Sequence, residues 1–283
     1  MDNIQNTITC FTVSPAETRR SLQDFLSNRL RISRNRTKAL IDTRNVFVNR
    51  RRVWMARHSL NVGDKIEINT AAAGAQKSDV AFHVLFQDQD YLIVDKPAGI
   101  LSNGPNSVEN RLRETMTLPA LTAIHRLDKD TSGCLLLAKH HEAFEKAVPL
   151  FAHQDVNKTY EAIASGQLDP PNRIVTTPID GQKAATFLRT LSSNRLATHV
   201  RVTIKTGRTH QIRKHLVSIG NPVIGDNRYG TRLPATRTAL IATRQMLHAS
   251  LLQFTSLITG RAIKVHAPLP HDFKMCLNAF KLR

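Results

Sequence analysis

The chain has 283 residues, 41% of them hydrophobic, with 40 Lys plus Arg against 22 Asp plus Glu and a formal net charge of +18. That is enough chain for a large core, and two domains are the natural expectation. A surface this basic calls for a polyanionic partner, and nucleic acid is expected rather than membrane, because no run approaches the roughly 18 apolar residues of a spanning helix.

Cys10, Cys134 and Cys276 lie far apart without a Cys-x-x-Cys pair, so neither a disulfide framework nor a thiolate zinc site is expected. The histidines lack the spacing of a metal-binding helix face, and no metal is expected. The first six residues have neither a basic start nor an apolar stretch, which points to the cytoplasm.

In chain order, residues 8–13 read as a short strand ended by Ser14-Pro15, with 1–17 as an N-terminal extension. A small basic unit follows over 18–70. Leu22, Phe25, Leu26 and Leu30 recur at helical spacing behind Ser21 as N-cap, and Ser33 announces a second helix with Leu40 and Ile41 on its inner face. Val46–Asn49 and Val53-Trp54 suggest a hairpin, and Leu60 to Ile68 closes the unit. Between residues 18 and 60 twelve Arg and Lys face only Asp24 and Asp42. A solvated helix face is the plain alternative, but so one-sided an excess costs stability through self-repulsion, and phosphate binding is the favoured reading. Arg34, Arg36, Lys38, Arg50, Arg51 and Arg52 are the candidate nucleic-acid-binding residues, since arginine's planar fork suits phosphate oxygens.

Residues 71–79 are small and polar, as in a flexible linker, and 80–283 form the second domain. Its pattern opens with strands at Val80–Phe86 and Tyr91–Val94, then the turn Asp95–Gly99, in which Lys96 could be no more than a solvated residue. His125-Arg126-Leu127-Asp128-Lys129-Asp130-Thr131-Ser132-Gly133 runs into the apolar Cys134–Ala138, a buried strand with a charged loop at its rim. Glu142–Phe151 reads as a helix with Phe144, Val148 and Phe151 on one side. Tyr160 lies in the strand-like Asn157–Ala162, where a half-buried core tyrosine would be unremarkable. In residues 197–205, Val200, Val202 and Ile204 alternate with Arg201, Thr203 and Lys205, giving one buried and one basic face. Thr206–Arg213 opens a helix with Ile212, Leu216 and Ile219 on one face, without the spacing of a P-loop.

The string His-Arg-Leu-Asp-x-x-Thr-Ser-Gly at 125–133, followed by a Leu-rich strand, resembles the catalytic motif of the RluA-type pseudouridine synthases, which isomerise uridine in RNA. Asp95–Gly99, Lys158-Thr159-Tyr160-Glu161-Ala162, Gly207–Arg213, Asn221–Asp226 and Leu247-His248-Ala249 match further motifs of that family in the same order. The resemblance implies an α+β fold with a mixed, mostly antiparallel sheet and no cofactor. It also implies roles: Asp128 as the catalytic carboxylate, Arg208 as its ion-pair partner, Tyr160 against the target base as a candidate for proton abstraction, and Arg126 filling the space left by the extruded uridine. Leu22–Leu26, Ser33-Arg34, Leu40-Ile41, Val46–Asn49 and Val62-Gly63-Asp64 resemble the αL RNA-binding module shared by a small-subunit ribosomal protein and many RNA-modifying enzymes, with Arg44 and Arg50 where the family usually has glycine. Modules of this type accompany large-subunit ribosomal RNA enzymes, so ribosomal RNA is the expected partner, with transfer RNA as the alternative and a monomer as the expected state. A non-catalytic RNA-binding or ribosome-assembly protein on the same scaffold, or a hydrolase that releases uracil, are the competing functions.

Overall fold

The computed structural model describes residues 8–42, 46–53, 55–69, 82–230 and 242–282. The chain divides into two compact units, Met1–Val80 and Ala81–Arg283. The expected linker at 71–79, together with Arg44 and Trp54, lies outside the described residues.

The first unit sets two helices, α1 (Leu22–Leu30) and α2 (Arg34–Asp42), on an antiparallel sheet of order β1-β4-β2-β3, with β1 Ile8–Thr12, β2 Val46–Val48, β3 Arg51–Arg52 and β4 Lys65–Asn69. Helix α1 starts where its cap allows: Ser21 Oγ accepts the Asp24 N–H at 3.1 Å. Leu22, Phe25, Leu26, Leu40 and Ile41 bury against Val46, Val48, Ile66 and Ile68. Strand β1 pairs with β4 from Ile8 to Thr12, so this segment is an edge strand of the unit and not a separate extension. Phe11 at that edge meets Phe25 of α1 edge-on at 6.2 Å, which is apolar surface that a detached extension would leave wet. The β2–β3 turn places Asn49 and Arg50 at φ 49° and 62°, the left-handed pair that suits the twist of a hairpin. Arg50 therefore occupies a conformation that glycine takes without strain.

The second unit is built on a ten-stranded sheet whose main path runs β10-β11-β12-β9-β13-β8-β6-β5, with β14 on β13 and β7 on β8. The strands are β5 His83–Gln87, β6 Tyr91–Lys96, β7 Thr122–Ala123, β8 Ser132–Ala138, β9 Asn157–Ser165, β10 Asn172–Val175, β11 Thr186–Ser193, β12 Ala197–Ile204, β13 Leu247–Thr255 and β14 Ala262–His266. Every pairing is antiparallel except β8 with β13, which is the mixed, mostly antiparallel α+β arrangement expected. Helix α3 (Val108–Thr115) covers Leu92, Val94, Leu135 and Leu137. Helix α4 (His141–Ala152) covers the alternate residues Tyr91, Ile93 and Leu136 from the other side. Helix α5 (Gln211–Ser218) packs through Ile212 and Leu216 on Val200, Val202 and Tyr160, and α6 (His271–Ala279) packs through Phe273 and Cys276 on Ile163 and Ala197.

Two details separate pattern from packing. The buried stripe of α4 is Ala143, Ala147 and Leu150, one position away from the expected Phe144, Val148 and Phe151. Small side chains let the helix backbone approach the sheet, while the two phenylalanines close the margin and Val148 remains 39% exposed. At the β8–β13 contact, Gly133 has φ +112°, and any Cβ there would run into the Ala249 carbonyl. Only glycine permits the two strands to meet at this point, immediately after the Asp128 loop.

Candidate active site

The loop between β7 and β8 carries Asp128 and is fastened from both sides. Ser102, itself buried, accepts the Leu127 N–H at 2.9 Å and donates to the Leu127 carbonyl at 3.1 Å. Lys96 is completely buried, and its ammonium donates to the carbonyls of Pro97, Ile100 and Lys129 at 2.9, 2.7 and 3.0 Å. The solvated-turn alternative for Lys96 is therefore wrong: the side chain runs inward and ties the Asp95–Gly99 turn to the loop that carries Asp128. Burial pushes its pKa down to about 7, with Asp130 and Asp128 opposing. Arg244 adds a third fastening, donating to the Asp130 carbonyl at 3.1 Å while its guanidinium pairs with Asp272 of α6 at 2.6 and 3.0 Å.

With its loop fixed, Asp128 presents a carboxylate that is 25% exposed and meets Arg213 Nη1 at 2.7 Å. Arg213 is 7% exposed and also grips Asp226, through Nε at 2.6 Å and Nη2 at 2.8 Å. Asp226 accepts the backbone N–H groups of Arg228 and Tyr229 as well, at 2.9 and 3.1 Å. Burial alone would raise the Asp226 carboxyl; the guanidinium and the two N–H groups hold it below its ordinary value. One buried cation thus spans a structural carboxylate and a half-open one, so its position is set before any ligand arrives. Gln245 Nε2 completes the setting, 2.7 Å from Thr131 Oγ1 and 3.4 Å from Asp128 Oδ2.

This overturns the expected partner. Arg208 is exposed, its Nε directed to the Lys183 carbonyl at 3.4 Å and its backbone N–H to Gln211 Oε1 at 3.1 Å. It sits in the turn before α5, whereas Arg213 is inside the first turns of the helix, next to the buried Ile212 and aimed at the sheet. A buried arginine needs carboxylates, and the Gly225-Asp226 turn supplies one.

An open cleft lies over this pair, lined among others by Arg126, Asp128, Tyr160, Ile204, Arg208, His210 and Leu247. Tyr160 is 8% exposed, and among the described residues no group hydrogen-bonds its hydroxyl. Burial first, then the charge of Asp128, push the phenol above its ordinary value, so it stands protonated. His210 lies 3.8 Å from Asp128 and its Nδ1 meets the Tyr229 hydroxyl at 2.9 Å; burial lowers its pKa in spite of the carboxylate. His125, at the start of the motif, is not in the cleft wall but behind it: its Nε2 accepts the Leu136 N–H at 3.1 Å, its ring stacks on Phe151, and burial pushes it down to about 3. Arg126 is exposed at the mouth.

The basic residues of the first unit are of another kind. Arg36, Lys38 and Arg50 are exposed, and Arg34 is 67% exposed with one contact to Asp24. Arg51 and Arg52 lie on β3, and their side chains fall outside the described residues.

Residues 90–218 match the RNA pseudouridylate synthase family. The ribosomal large subunit pseudouridine synthase D of Pseudomonas aeruginosa is 34% identical over 233 residues, covering 72% of this chain and 73% of that protein. The protein of the same name from Escherichia coli K12 is 30% identical over 273 residues, covering 85% of this chain and 84% of that one. A match this long reaches into the first unit, because the second makes up less than three quarters of the chain. Among solved structures, human RNA pseudouridylate synthase domain containing 4 superposes with a TM-score of 0.63 at 24% identity, over 70% of this chain and 93% of that one, and shares the fold. No helix among the described residues is long and apolar enough to cross a membrane. A chain with these motifs, this sheet and these relatives belongs to the RluA-type RNA pseudouridine synthases, the isomerases that turn uridine in RNA into pseudouridine.

Proposed function

We propose that this chain isomerises uridine in large-subunit ribosomal RNA, with Asp128 as the reacting carboxylate and Arg213 as the cation that positions it. The observation that carries this reading is the 2.7 Å contact between a half-open aspartate and a buried arginine already anchored by Asp226. The reaction detaches uracil from its sugar, turns it and rejoins it through a ring carbon, with no redox change and no net hydrolysis. It needs a nucleophile or charge stabiliser at the sugar–base junction, an acceptor for the proton on the rejoined carbon, and a site that keeps the detached base from water. Asp128 supplies the first. Tyr160 forms the wall against the base; its phenol can take up a proton only after it has lost its own, and forming that phenolate becomes easier when Asp128 loses its negative charge in a covalent bond, since that charge is one of the groups raising it. Arg126, exposed at the mouth, has the flat guanidinium suited to replace an extruded base in a stack.

The ribosomal target rests on what the relatives are named for, and the exposed arginines of the first unit support its role as an RNA-binding module. A cytoplasmic monomer fits this reading. A map of pseudouridine in total RNA with and without the protein tests it: loss of the modification at large-subunit uridines is expected, and loss confined to transfer RNA would overturn the ribosomal assignment. Release of free uracil during turnover would favour hydrolysis instead.

A further inference from the structure

The sheet has a second face, away from Tyr160, that the isomerisation does not use. Register places Ile174, Phe187, Thr203 and Thr159 side by side across β10, β11, β12 and β9, with Asn172, Arg189, Arg201 and Glu161 in the next row. Leu188, Val202 and Tyr160 point the opposite way, into the core under α5. Helix α6 reaches this outer face only as far as His199, which meets Phe273 at 5.9 Å. Beyond it, Ile174 is 59% and Phe187 41% exposed.

Two features of these rows are costly to the folded chain. An aromatic and an aliphatic side chain face each other across two strands, with nothing over them among the described residues. Arg189 and Arg201 are directly opposed, and like charges in that position destabilise a sheet. The nearby acid does not resolve the conflict. Glu161 is held by His199 at 2.8 Å and reaches Arg201 only at 3.4 Å, while the Arg189 guanidinium makes no hydrogen bond or ion pair among the described residues. Lys205, two positions beyond Thr203 on the same face, adds a third cation and, among the described residues, its ammonium donates only to the neutral Asn157 Oδ1, at 2.6 Å.

We propose that this face, centred on Phe187 and the opposed Arg189 and Arg201, is a platform for a single-stranded segment of RNA. Side chains two apart on a strand stand about 6.6 Å from one another and neighbouring strands about 4.8 Å. A base stacked on Phe187 therefore has its phosphates within reach of Arg189 and Arg201, whose repulsion a polyanion relieves. An aromatic surface ringed by cations is the chemistry by which proteins hold unstacked bases; a duplex hides the base faces that Phe187 would need. The excess of cations on the patch favours RNA over a protein partner. The proposal draws on the preceding reading only in taking RNA as the ligand.

The experiment uses the full chain, a labelled mixed-sequence single-stranded RNA of about 12 nucleotides, and the duplex of the same sequence, a length chosen within the span that single-strand-binding grooves occupy. Phe187→Ala is expected to weaken single-strand binding about tenfold, and Phe187→Leu, which keeps the apolar bulk, nearly as much. Arg189→Gln is expected to lower the log-log salt slope by about 0.7 and at the same time to raise the melting temperature, because it removes the opposed charge. Duplex binding should be unchanged, as should the isomerisation rate at saturating RNA. Single-strand affinity unaltered in both Phe187→Ala and Arg189→Gln would overturn the proposal, as would equal losses for duplex and single strand. So would a lower melting temperature for Arg189→Gln with affinity intact, which would mark the pair as structural or the face as a protein-docking surface. None of the overturning readouts needs turnover, so a failure of the ribosomal assignment leaves the test standing.

Discussion

The arginines of the two units face opposite conditions. Arg213 is 7% exposed and commits its guanidinium to two carboxylates, one of them 1% exposed; Arg34 is 67% exposed and touches one half-open Asp24, and Arg36 and Arg50 are exposed outright. A buried, multiply bonded cation holds a reacting group in one geometry, and its removal leaves carboxylates uncompensated. An exposed cation contributes little to the fold and much to a field that attracts phosphate and fades with salt. The same residue type is thus locked between carboxylates in one unit and left open to solvent in the other.

The largest effect is expected at the reacting group itself. Asp128→Asn keeps the volume and removes the charge, and the single-turnover rate should fall by at least about 1,000-fold, roughly 4 kcal/mol of barrier, with RNA affinity nearly intact. A residual rate of a tenth of wild type is too fast for the assigned role. Next comes the fastening of the loop: Lys96→Met strips three carbonyls of their donor, and a loss of about 3 kcal/mol in unfolding free energy is expected together with reduced activity. Denaturant titration would show whether Lys96 is instead dispensable.

An effect of similar size, confined to acid pH, separates neutral buried groups from the cations around them. His248 is buried between Ser132 Oγ at 2.9 Å and the Ala267 carbonyl at 3.3 Å, and burial pushes it down from 6.5 to about 4. The unfolded chain therefore binds the extra proton first. His248 contributes its stability fully above about pH 6.5, and the contribution is lost as pH falls toward 4, about 3 kcal/mol over the window. His248→Gln should flatten the melting temperature profile across that range. A profile as steep as that of wild type would locate the acid sensitivity elsewhere. The smallest effect on chemistry belongs to the basic unit: deleting residues 1–75 should flatten the salt dependence of RNA binding by about 0.7 to 0.9 in log-log slope for each phosphate that the unit neutralises, while leaving the saturating rate of the second unit in place. A collapsed saturating rate in a folded truncation would show that the first unit helps to build the site.

Much of this architecture was legible. The seven residues of β8 are all buried, as an unbroken apolar run after a Thr-Ser-Gly turn implies, and the alternation in 197–205 correctly separated the core face of β12 from its basic face. The loop that carries Asp128 followed from the turn and the apolar run after it. The identity of its partner did not, because pairing is decided in three dimensions: Arg208 and Arg213 are equivalent as letters, and only the start of α5 at Gln211 turns one inward. The adjacency of Arg213 to the buried Ile212, and an aspartate after Gly225, were the available hints. Ser102, Arg244 and Gln245 had no local signature, since each acts through backbone groups or side chains far away in sequence. In α4 the periodicity was right and the face was not, because large residues mark hydrophobicity while small ones mark close approach.

The measurement that bears most directly on the site is a side-by-side single-turnover assay of Arg213→Leu and Arg208→Leu at saturating RNA, with folding checked by melting. If Arg213 holds the reacting carboxylate, Arg213→Leu should lose at least about 100-fold in rate, some 2.7 kcal/mol, while Arg208→Leu should keep its saturating rate and lose only affinity. A folded Arg213→Leu protein that turns over normally, beside an inactive Arg208→Leu, would contradict the account.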